Sequence, residues 1–120
     1  MVEIFRALSE ENRLRILSLL LEGEMCVCEI EAVLNLSQSN ASRHLTALKQ
    51  CGILDSFKKA QWTYYRINDR FKRENAKLLG YLQDGLKELP TYQADQEAYK
   101  KYDSQNLCDC ITPQQGLKKL

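Results

Sequence analysis

CEIEAVLNLSQSNASRHLTALKQCG, residues 28–52, is the stretch whose reading decides the fold. Residues 28–34 place Ile30, Val33 and Leu34 at helical spacing. Asn35-Leu36-Ser37 is turn chemistry, and Ser37 belongs to the preferred N-cap residues. A further helix runs from Gln38 to Gln50, with Ala41, Leu45 and Leu48 on one side, and Gly52 ends it. A short helix, a tight turn and a capped helix predict a helix-turn-helix.

Working outward, residues 2–8 form a short apolar start, and Ser9 is read as the N-cap of a helix through Glu22. That helix carries Leu14, Ile16, Leu17, Leu20 and Leu21 and stops at Gly23. On the other side, Ile53–Lys59 and Trp62–Ile67 are rich in aromatic and β-branched residues and flank Ala60-Gln61, which predicts a β-hairpin. Asp69 is read as the cap of a long helix to Leu89, ended by Pro90. Its broad stripe of Leu78, Leu79, Leu82, Leu86 and Leu89, with Phe71, predicts packing on a partner subunit, with intramolecular core as the alternative. The fold class is therefore mainly α with a small β-hairpin, a dimeric winged helix-turn-helix. Residues 1–90 form the DNA-binding and dimerisation domain, and residues 91–120 a polar, weakly ordered tail with a Cys-x-Cys pair.

The charge is distributed unevenly over the 120 residues, although the formal net charge is only +1. Residues 1–37 hold 3 Lys/Arg and 7 Asp/Glu, whereas residues 38–73 hold 8 and 2. The basic third contains the second helix and the hairpin, which suits a polyanion. Opposite the core side of the helix 38–50 lie Ser39, Arg43, Thr46 and Gln50, flanked by Asn40 and Ser42. These side chains can bond base edges and phosphates. Gln38 and Ser39 sit where free amides attract phosphate, and Arg43 suits bidentate reading of guanine. Lys58, Lys59 and Gln61 of the hairpin are placed for a neighbouring backbone or minor groove. No nucleotide loop or hydrolytic triad is present, so the chain does not read as an enzyme. A thiol enzyme such as an arsenate reductase lacks its anion loop here.

Neither a membrane span nor a secretory leader is evident, which predicts a cytoplasmic protein with reduced thiols. Five cysteines are an odd number and do not form a closed disulfide framework. Cys26-Val27-Cys28 can chelate a soft, thiophilic ion. On a regular helix positions i and i+2 diverge by about 200°, so both sulfurs meet one ion only where the backbone is not helical. Cys108 and Cys110 repeat the spacing in the tail and are candidate further ligands; incidental exposed thiols are the alternative. Cys51 reads as structural, and the lone His44 as packed or hydrogen-bonded.

Four groups of residues together resemble the ArsR/SmtB family of metalloregulators. They are Ala7-Leu8-Ser9 with Asn12-Arg13-Leu14-Arg15-Ile16-Leu17; Glu24-Met25-Cys26-Val27-Cys28-Glu29-Ile30; Leu36-Ser37-Gln38-Ser39 through Ser42-Arg43-His44-Leu45; and Trp62 with Tyr64-Tyr65-Arg66. The resemblance spans roughly residues 5–89. It implies a homodimer that binds double-stranded operator DNA and leaves it on binding its metal. In the arsenic-sensing pattern a third cysteine often follows three residues after the second; here Glu31 stands there. The family's zinc site uses histidines on the last helix, and residues 69–89 contain none. Trivalent arsenic or antimony is therefore the expected inducer, with no organic cofactor. A cadmium- or lead-responsive repressor and a thiol redox switch at Cys26 or Cys28 remain open on the same scaffold.

Overall fold

A computed structural model describes residues 1–104. Cys108 and Cys110 lie outside the described residues. The elements run α1 (Val2–Ala7), α2 (Glu11–Leu20), β1 (Met25–Cys26), α3 (Val27–Leu34), α4 (Gln38–Gln50), β2 (Leu54–Lys59), β3 (Trp62–Ile67), α5 (Asp69–Glu74), α6 (Ala76–Gly85), a 3-10 turn (Leu86–Glu88) and α7 (Tyr92–Ser104).

The helix-turn-helix forms as the turn chemistry predicts. Asn35 ends α3 in the left-handed region (φ 57°), and the amide of Leu36 returns to the carbonyl of Glu31. Ser37 then opens α4, its hydroxyl accepting the Asn40 amide at 3.2 Å. Gly52, with φ of +88°, turns the chain out of α4, a conformation that costs a residue with a Cβ. Ile16, Leu17, Ile30, Leu34, Leu45, Leu48 and Ile53 are almost wholly buried and join α2, α3 and α4 into one core.

Three local readings change. Ser9 does not cap α2: its hydroxyl donates to the Arg6 carbonyl at 2.7 Å and finishes α1, and Glu10 is the extended residue before α2. The long helix 69–89 is broken at Asn75 (φ −127°, ψ 38°) into α5 and α6, and its cap is Asn68, which accepts the Phe71 amide at 2.8 Å. The polar segment after Pro90 is not uniformly loose, because α7 packs along α2 and α3. Its hold is an ion pair between Arg15 and the buried Asp95, with Nε–Oδ2 and Nη2–Oδ1 both 2.9 Å. Both side chains are largely buried, so little water screens the pair, and its bidentate geometry adds strength.

The leucine stripe also ends up elsewhere than expected. Leu79, Leu82 and Leu86 are buried within the chain itself, and Leu78 and Leu89 are half-buried against the same core. The 3-10 turn lies between α2 and α7, and Leu86 is buried there. Among the described residues, the large apolar side chains left open are Met1 and Val2, Phe5 of α1 (54% exposed) and Tyr81 of α6 (73% exposed).

Candidate nucleic-acid interface and thiol site

The face of α4 opposite the core is open as its spacing predicts. Gln38, Ser39, Asn40, Ser42, Arg43, Thr46 and Gln50 are all exposed, while Ala41, Leu45 and Leu48 are buried. In the three-stranded sheet, ordered β1-β3-β2, the β2–β3 hairpin pairs Leu54 with Ile67 at its base and Lys59 with Trp62 at its tip. Lys58, Lys59 and Gln61 are exposed there. Phe57 and Tyr64 stack at 5.6 Å, and Arg66 and Lys59 lie over their rings. Lys59 also approaches Glu24 at 3.5 Å.

Arg43 is exposed but tethered. Its guanidinium stands 3.9 Å from Glu10 and 3.4 Å from Nε2 of His44. His44, almost completely buried, accepts from Nε of Arg13 at 3.1 Å. A neutral imidazole has one acceptor nitrogen, and the shorter contact assigns it to Arg13. Burial, and then the charges of Arg43 and Arg13, hold the His44 pKa below its ordinary value. A cation squeezed between two guanidiniums is unfavourable, so the ring is neutral near pH 7. The sequence expectation of a hydrogen-bonded histidine holds, and the new element is that the Arg13–His44 bond ties α2 to α4 beside Arg43. Cys51 donates to the Leu48 carbonyl at 3.4 Å, in keeping with a structural role.

The cysteine pair sits where α3 begins. Cys26 is the N-cap, with extended backbone (φ −71°, ψ 149°), and Cys28 lies in the first turn. Because the first of the two is not helical, the sulfurs converge to 3.2 Å. The i, i+2 divergence of a regular helix therefore does not hold them apart. Cys26 and Glu29 form a reciprocal cap in which the Glu29 carboxylate accepts the Cys26 amide at 2.7 Å. Burial pushes the Cys26 thiol above its usual range, Glu29 and Glu31 add to the shift, and the amides of Cys28 and Glu29 oppose it.

Sequence reading missed β1 altogether. Two residues are too short to carry a strand signal, yet Met25 pairs with Tyr65 and Cys26 with Tyr64. The residue that caps α3 is thus also the residue that joins the wing. A shift at Cys26 is felt both by the helix that supports α4 and by the strand that carries the hairpin.

The profile of the "Bacterial regulatory protein, arsR family" matches residues 10–56. An arsenical resistance operon repressor of Escherichia coli is 38% identical over 79 residues, which is 65% of this chain and 68% of that protein. This chain belongs to the ArsR family. Arsenic resistance transcriptional regulator ArsR1 of Pseudomonas putida is 46% identical over 66 residues, 54% of this chain. The match spans about half of that protein's length, 52%. A cadmium resistance regulator of Listeria innocua is 39% identical over 68% of this chain and 65% of its own. A homodimeric winged helix-turn-helix DNA-binding domain from Mycobacterium bovis superposes with a TM-score of 0.60 at 30% identity, covering 72% of this chain and 81% of its own. The fold of this ArsR-family chain is the winged helix-turn-helix of transcriptional regulators, and none of its described helices is long and apolar enough to cross a membrane.

Proposed function

We propose that this protein is a homodimeric, operator-binding repressor released by trivalent arsenic or antimony held on Cys26 and Cys28. The observation that carries the reading is the 3.2 Å approach of the two sulfurs at a residue shared by α3 and the wing. Soft thiolates suit a thiophilic metalloid, and the sulfurs already face one point, so little ordering is needed before both bind.

In this reading Gln38, Ser39, Asn40, Ser42, Arg43 and Thr46 enter the major groove on α4, and Lys58, Lys59 and Gln61 follow the flanking backbone. The dimer seam uses the open apolar side chains of α1 and α6, Phe5 and Tyr81, with the half-buried Leu78 and Leu89 beside them. On ligation the Cys26 sulfur gives up its part in the cap with Glu29, and the start of α3 moves relative to β3. Such a shift must favour the off-DNA arrangement by about 5.5 kcal/mol to take the balance from 1:99 to 99:1. Sulfur–arsenic bonds that form better in one arrangement can supply that preference.

A labelled operator fragment titrated with arsenite, antimonite, cadmium, lead and zinc under fully reducing conditions tests the reading. Release by arsenite and antimonite at the lowest concentrations is expected. Release by cadmium or lead alone would assign the repressor to those ions, a choice the cadmium relative makes necessary to test. Release by an oxidant but by none of the ions would favour the redox switch.

A further inference from the structure

We propose that His44 is a positioning residue for operator binding: a proton taken up by its ring draws the Glu10 carboxylate from Arg43 to the imidazole and frees Arg43 for DNA. This rests on the reading that Arg43 enters the groove on α4.

The surroundings of the ring argue for it. His44 is 1% exposed, whereas Arg43 beside it lies open. Among the described residues, the charges that bear on the imidazole are Glu10 and Arg13, from the α2 side, and Arg43. Helix α1 bears on Arg13 rather than on the ring: the Ala7 carbonyl accepts from Nη1 of Arg13 at 3.5 Å, and Glu3 and Arg6 share a cleft with that side chain. Elements α3 and β2 also pack on α4 but bring no charge to His44. Glu10 is the cap residue of α2, yet its side chain makes no cap bond. It reaches across instead. One oxygen lies 3.4 Å from Nη2 of Arg13, and the other lies 3.9 Å from both Nη1 of Arg43 and Nδ1 of His44. A single carboxylate thus serves two guanidiniums and stands beside a buried imidazole.

In the neutral ring Nδ1 accepts from Nε of Arg13 at 3.1 Å, so the hydrogen is on Nε2. That nitrogen faces Nη2 of Arg43 at 3.4 Å, donor against donor. Arg43 is therefore held by Glu10 and gains nothing from the ring. A proton from solvent at Nδ1 removes the acceptor that Arg13 uses and makes both ring nitrogens donors. Glu10 is the anion placed to take the new N–H, and the imidazolium repels Arg43. Arg13 keeps the other Glu10 oxygen and the Ala7 carbonyl. The coupling is reciprocal: once DNA holds Arg43, one positive charge has left the ring and the proton binds more readily. Stability moves the other way. Burial, then Arg43 and Arg13, hold His44 below its ordinary pKa. The unfolded chain therefore takes the proton first, and the stability due to the neutral ring is lost as pH falls below about 6.5.

His44 is the only histidine of the 120 residues, so a titration from about pH 7 to about pH 5.5 reads this ring. Anisotropy of a labelled operator fragment with the reduced full chain, at fixed ionic strength, should show affinity rising about tenfold over that range. The melting temperature of the free protein should fall over the same range, whereas a purely structural histidine would not raise affinity. His44→Gln should bind with an affinity independent of pH. Glu10→Gln, which frees Arg43 without a proton, should bind at neutral pH as tightly as the unsubstituted protein does in acid, and should also be flat. Proton NMR of the imidazole gives a measurement without substitution: its titration midpoint should rise when operator is bound. Flat or falling affinity in the unsubstituted protein, or a midpoint that operator leaves in place, would overturn the positioning role. A rise that persists in His44→Gln, or that Arg43→Ala keeps while binding more weakly, would overturn it as well. Arg43→Ala that binds operator with unchanged affinity and selectivity would instead refute the reading of Arg43 beneath it.

Discussion

Helices α4 and α6 are both amphipathic, yet their faces came to mean different things. In α4 the apolar side, Ala41, Leu45 and Leu48, packs on the core, and the opposite side lies open with its hydrogen-bonding groups. In α6 and the turn after it an equally clear stripe was expected on a second subunit, but Leu79, Leu82 and Leu86 are covered by the chain itself. Periodicity says that a face will be covered; it does not say by what. For α4 the cover is adjacent in sequence, from α2 and α3. For the turn after α6 the neighbours include α7, which packs through Ala98, Tyr99 and Tyr102 and is clamped by the Arg15–Asp95 pair.

The sharpest way to break this comparison is to truncate one leucine of α4 and one of the 3-10 turn that continues the α6 stripe. Leu45→Ala and Leu86→Ala should each cost about 2–5 kcal/mol, because both leave a cavity in one continuous core. The loss at Leu86 should not depend on protein concentration in urea unfolding monitored by circular dichroism. If it does, the stripe belongs to a subunit seam after all.

Next in size is the open face of α4. Arg43→Ala should weaken operator binding by about 1–3 kcal/mol and relax selectivity at the base it meets, with an unchanged melting temperature. Competition titrations against operator variants measure both. Lys58→Ala and Lys59→Ala should instead lower affinity evenly over all sequences and reduce the salt slope by about one each. Wild-type specificity in Arg43→Ala would mean that the approach of Arg43 to Glu10 persists on DNA.

The open side chains of α1 and α6 sharpen the other half of the contrast. Phe5→Asp and Tyr81→Asp should raise the dimer dissociation constant at least tenfold, about 1.4 kcal/mol, while leaving the melting of the monomer core nearly unchanged. Sedimentation equilibrium decides it. A mass that stays dimeric at nanomolar concentration in both variants would remove α1 and α6 from the seam.

The smallest effect expected lies at the hairpin tip. Ala60 has φ of 58°, a region that a residue with a Cβ enters at a cost. Ala60→Gly should therefore stabilise the fold, although by less than about 1 kcal/mol, because glycine also gains freedom in the unfolded chain. A drop in melting temperature in a thermal scan would show that the strain is absent.

What could be read in the chain alone was what its neighbours in sequence determine. The Asn35–Ser37 turn, the Ser37 cap, the orientation of α4 and the extent of the hairpin all follow from side-chain spacing and local hydrogen bonding, and each appears where expected. The features that only the tertiary structure decided depend on distant groups. Ser9 and Asp69 carry cap-forming side chains, but Ser9 serves the preceding helix and Asn68 is positioned by Asp55 across the hairpin at 2.7 Å. Strand β1 exists because β3 offers it an edge, and that pairing keeps Cys26 extended so that the two sulfurs meet. Helix α7 lies where it does because Asp95 finds Arg15 eighty residues away. A bond between groups so far apart leaves no period in the sequence, since its free energy depends on burial and on a partner that only the folded chain brings near.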